Sequence, residues 1–115
     1  MSYAHQKLKN AVEALREQYA SKRQWLAGND VYHVLHLAPE ELPHDVRADF
    51  EHLHADAHVI GMRENVSRQY DIAHQLPDAD VERLSGTIVE LYYHVDAAVC
   101  RRAPHPRGSM LTGMR

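Results

Sequence analysis

Cysteine is almost absent from these 115 residues: Cys100 stands alone. That excludes an intramolecular disulfide and favours a reducing, cytoplasmic setting. No run of about 18 apolar residues is present, so no membrane span is indicated, and the first residues lack the basic-then-apolar pattern of a secretory leader. Neither Asn-Gly nor Asp-Gly occurs as a two-residue hairpin turn, and no stretch keeps a period of two for long, which removes the usual signals of a sheet. A glycine-rich phosphate loop is also missing. Ser85 falls inside a predicted helix, and Ser2, Ser21, Ser67 and Ser109 have no elbow-like glycine context, so no hydrolytic nucleophile is supported.

What is plentiful is histidine, with ten residues, and charge in blocks. Residues 1–23 hold five Lys/Arg against two glutamates, a net of +3; residues 24–96 hold four arginines against fourteen acids, a net of −10; residues 97–115 add four arginines and no acid. Eight of the histidines lie in the acidic block. Neighbouring carboxylates there are expected to favour protonated imidazoles and so to make the surface pH-responsive.

Helical periodicity organises the rest. Ala4, Leu8, Ala11, Val12, Leu15, Tyr19 and Leu26 fall within about 80° of one direction at 100° per residue, predicting one first helix that Gly28 closes with a left-handed cap. A short second helix follows from a cap at Asn29 or Asp30 and uses Val31, Val34, Leu35 and Leu37; Pro39 ends it. Pro43 opens a third, carrying Val46, Phe50, Leu53, Ala57 and Ile60 up to Gly61. Met62, Val66, Tyr70 and Ala73 suggest a fourth that breaks at Leu76-Pro77. Asp78 caps a fifth, with Val81, Leu84, Ile88, Leu91, Val95 and Ala98 alternating spacings of three and four. Gly86, in the middle of that helix, suggests close approach by a neighbouring helix. The prediction is all-α: a compact bundle of four to five helices over residues 1–102, then a disordered basic tail over 103–115.

Three segments, Tyr3-Ala4-His5-Gln6-Lys7-Leu8, Leu42-Pro43 with Val46-Arg47 and Phe50, and Ile88-Val89-Glu90-Leu91-Tyr92, resemble short bacterial all-helical proteins of uncharacterised function. The resemblance implies a bacterial, cytoplasmic helical protein and carries no residue roles.

The segment His52 to His58 is where metal chemistry is first suspected. As a strand it would align His52, His54, Asp56 and His58, but it would scatter Val46, Phe50 and Ile60, so helix is preferred. On a helix Glu51, His54 and His58 share one flank at spacings of three and four, and His52 joins Asp45, Asp49 and Asp56 on the other. Zinc or another transition metal on Glu51, His54 and His58 needs a further ligand, from His33, His36, His74, or Glu90 with His94. The alternative is a solvated flank of histidines paired with carboxylates. A di-iron site is disfavoured, because Glu41-x-x-His44 spans Pro43 and makes a poor partner for Glu51-x-x-His54. Cys100 precedes Arg101 and Arg102, which would lower its pKa, yet its place at a helix end reads as a packed or exposed thiol.

On the first helix Lys9, Arg16 and Arg23 align with His5 as a stripe that could follow phosphates, with Glu13 placed to neutralise it by pairing with Lys9 and Arg16. Trp25, Tyr32, Tyr92 and Tyr93 sit at stripe edges, and Val89 and Tyr92 widen the stripe of the fifth helix, which includes Leu91, beyond what one neighbour covers, so these six residues are candidates for a protein interface. The expected function is a small cytoplasmic interaction or regulatory module, non-enzymatic, without a cofactor, and homodimeric or bound to a partner protein. The alternatives are a metal-binding bundle using Glu51, His54 and His58 and a nucleic-acid-binding regulator using the first helix and tail.

Overall fold

A computed structural model describes residues 3–102; the predicted tail at 103–115 lies outside the described residues. Six α-helices, with no strand among the described residues, account for the fold: α1 (Tyr3–Glu17), α2 (Lys22–Leu26), α3 (Asn29–Leu35), α4 (Arg47–Val59), α5 (Val66–Gln75) and α6 (Asp78–Arg102). Two 3₁₀ turns, Pro39–Glu41 and His44–Val46, lead into α4.

The stripe of α6 does what its spacing predicts: Val81, Leu84, Ile88, Leu91, Val95 and Ala98 are all buried. Against it pack α1, α2 and α4, while α3 lies on α1, α2, α4 and α5. Polar contacts show that the stretch from α1 to α2 runs antiparallel to α6, since His5 meets Asp96, Lys22 meets Glu82 and Arg23 meets Asp78.

The single first helix predicted to Leu26 is in fact two. Continued straight, it would run about 35 Å as one rod. Instead α1 ends at Glu17, and Ser21 caps α2 by accepting from the Gln24 amide at 3.2 Å. The break turns Trp25 inward, where it is fully buried and its indole N–H donates to the Ala11 carbonyl at 2.8 Å. Gly28 has φ −88 and caps the start of α3, replacing both the predicted left-handed stop and the predicted caps Asn29 and Asp30. An added Cβ there would lie 2.8 Å from Cζ of Tyr19, so the Tyr19 ring would have to shift.

Gly61 does end α4 as predicted, at φ 87, with the Gly61 amide bonded to the His58 carbonyl at 3.1 Å and the Met62 amide to the Ala57 carbonyl at 2.9 Å. The stripe predicted for the fourth helix is only partly right. Met62 is buried in the turn before α5, and Val66 and Tyr70 are 53% and 55% exposed. The inward face is Gln69 and Ala73. The Gln69 amide donates to the Leu26 carbonyl at 2.7 Å and the Gly28 carbonyl at 3.0 Å, supplying donors that the short α2 cannot provide at its own end. Around Gly86 nothing lies within 4 Å of an added Cβ, so no helix approaches it closely.

Candidate functional site

Helix α4 presents two chemically different flanks. Glu51, His54 and His58 line an open concavity of about 370 Å³ together with Pro39, Ala55 and Arg63. The predicted trio therefore shares one surface, but Arg63 occupies it too, with its Nε donating to the Leu35 carbonyl at 3.2 Å. The His54 ring lies 5.4 Å from that of Phe50. Its pKa is lowered, first by burial and then by the positive charges of Arg63, His36 and His58. This is opposite in sign to the upward shift expected from the acidic block. Cationic surroundings oppose a second cation, and among the described residues no three of His, Cys, Asp and Glu are already gathered as a metal-holding group.

The other flank faces α6. Asp49 and His52 line a cleft of about 230 Å³ with Thr87, Glu90, Leu91 and His94. His94 Nδ1 stands 3.3 Å from Asp49 Oδ2. Asp56 is drawn out of this group by Arg83, which also holds Asp80 at 3.2 Å. Glu90 and His94, considered from sequence as extra ligands for the Glu51 side, stand across from Asp49 and His52. Both pairs were visible as same-face spacings; which flank α6 would cover was not.

The six predicted interface residues separate into three places. Trp25 and Leu91 are interior, at 0% and 2% exposure, because the core needs their volume. Tyr32 lies on α3, its ring stacked on His36 at 4.2 Å; His36 in turn places its ring nitrogens 2.9 Å from the Tyr32 carbonyl and 3.2 Å from that of Arg63. Val89, Tyr92 and Tyr93 form an edge of α6. There Val89 and Tyr92 lean on the core and Tyr93 is 50% exposed. The Tyr92 and Tyr93 rings are 5.4 Å apart, and Arg16 donates to the Tyr93 hydroxyl at 2.8 Å. On the other side the buried His5 stacks on Tyr92 at 6.1 Å, with Nε2 2.8 Å from Asp96 Oδ1. Partial burial, followed by Asp96, Glu13 and Tyr93, raises the pKa of the Tyr92 hydroxyl, with Arg16 opposing.

The predicted basic stripe does not form as a continuous track. With α1 ending at Glu17, Arg23 belongs to α2, where it donates to the Ala73 and Leu76 carbonyls at 2.8 and 2.6 Å and pairs with Asp78, closing the end of α5. Arg16 is committed to Tyr93, and Lys9 is half-buried. No helix among the described residues is long and apolar enough to cross a membrane. No protein-family model, curated protein or solved structure matches the chain.

Proposed function

We propose that this chain is a protein-contact module that docks a partner through Val89, Tyr92 and Tyr93 on α6, with Arg16 beside them. The observation that carries this reading is the anchoring of the half-exposed Tyr93, whose hydroxyl accepts from the Arg16 guanidinium and whose ring lies against that of Tyr92. A tyrosine ordered before binding loses little side-chain entropy on docking, and tyrosine and arginine are the residues most often dominant in interfaces. The matching partner surface places an apolar side chain against the two rings and a carboxylate against Arg16.

Affinity capture with the wild-type chain, Tyr93→Ala and Arg16→Ala tests this, with light scattering to identify self-association. A partner, or a second copy, held by the wild type and weakened at least about 30-fold by Tyr93→Ala supports the reading, that being the loss typical of a dominant contact. A monomer whose captured proteins are the same for all three chains overturns it. Circular dichroism and melting temperature of the variants establish that the fold is unchanged.

A further inference from the structure

We propose that the cleft between α4 and α6 is a binding site for a divalent transition-metal ion of the zinc class, with Asp49, His52, Glu90 and His94 as its donors. Asp49 and His52 are three apart on α4, and Glu90 and His94 four apart on α6, so each pair occupies one face of its helix. Both pairs line the same cleft of about 230 Å³, which holds an ion and a water molecule with room for ligand movement. Two imidazole nitrogens and two carboxylate oxygens from facing helices are a donor set suited to zinc, cobalt or nickel.

One edge of the coordination shell already has its dimension. Two donors bound at about 2.0–2.1 Å and separated by the tetrahedral angle stand about 3.3–3.4 Å apart, and His94 Nδ1 is 3.3 Å from Asp49 Oδ2. Glu90 and His52 are exposed and line the same cleft, so completing the shell requires their side chains to turn inward. Among the described residues no three donors are gathered beforehand, so an ion has to order them, which places the affinity below that of a preformed site. The Thr87 hydroxyl, also at the cleft, donates to the Arg83 carbonyl at 2.9 Å. Arg83 itself is pinned to Asp56 and Asp80 and does not line the cleft. The contrast with the opposite flank is electrostatic: there Arg63 lines the concavity beside Glu51, His54 and His58. The donors predicted from sequence thus carry the competing cation, and their counterparts across the helix do not.

The test is titration of the tag-free, chelator-treated full chain with zinc by calorimetry and with cobalt(II) by visible absorption. One ion per chain is expected, with the strong visible bands of four-coordinate cobalt. His52→Ala and His94→Ala each weaken zinc binding by about tenfold or more, and the double variant His54→Ala, His58→Ala leaves it within about twofold. All four histidines lie on the surface or partly so, and circular dichroism checks each variant; if His94→Ala fails to fold, Asp49→Asn replaces it. Less than half an ion per chain overturns the proposal. So does binding that survives His94→Ala or that disappears with His54 and His58.

Discussion

Gly86→Ala is the perturbation that separates two accounts of α6 by sign. Had a neighbouring helix approached that glycine, a methyl group would meet it and the variant would lose stability. In the structure Gly86 is exposed, with nothing within 4 Å of an added Cβ, in the interior of a 25-residue helix. The remaining effect is helix propensity, worth about 0.8–1 kcal/mol in favour of alanine, in part because alanine restricts the unfolded chain. For a chain of this length that gain raises the melting temperature by about 4 °C. Urea unfolding followed by circular dichroism at 222 nm measures it, with the m-value unchanged if the transition stays two-state. Gly86→Gln, a longer side chain of good helix propensity, should gain by a similar amount because the space is open. A loss of stability in Gly86→Ala refutes the reasoning, and a loss only in the Gln variant would mean that the open space is shallower than a longer side chain.

Gln69→Leu keeps the volume but removes both donors to the Leu26 and Gly28 carbonyls, and about 1–2 kcal/mol of stability should be lost after allowing for relief of the buried amide oxygen; an unchanged urea midpoint would show that α2 does not depend on this bridge. The lowered pKa of His54 means that the unfolded chain binds its proton more readily. The associated stability is full above about pH 6.5 and is lost as pH falls through the imidazole range toward the folded value. His54→Gln should therefore lose less stability than the wild type between about pH 7.5 and 5.5, and parallel pH profiles would count against this assignment.

Legibility in the sequence followed how local each determinant is. The α6 stripe and the Gly61 stop depend on spacing within one helix and on one backbone conformation, and both were readable. The break at residues 18–21 was not, because Tyr19 and Leu26 keep the phase of the preceding stripe. What decides it is the distant requirement that Trp25 reach the Ala11 carbonyl. Gln69 was overlooked for a related reason: a polar residue is assigned to the core only when its acceptors, 41 and 43 residues away, are known. The histidine flanks of α4 were correctly divided from periodicity. Which flank meets Glu90 and His94, and which meets Arg63, depends on helix pairing that periodicity does not encode.

Helix α1 packs on α3 and on α6, so its apolar face is completed by residues that lie far downstream. During synthesis at about 5–20 residues per second, the 85 residues between Glu17 and Arg102 take roughly 4–17 s to appear. Through that interval Leu8, Ala11 and Val12 have only part of their final cover, and the cleft between α4 and α6 has only one wall. A nascent chain stopped before Asp78 thus presents an α1 covered only on its α3 side, and the cleft that α6 completes is absent.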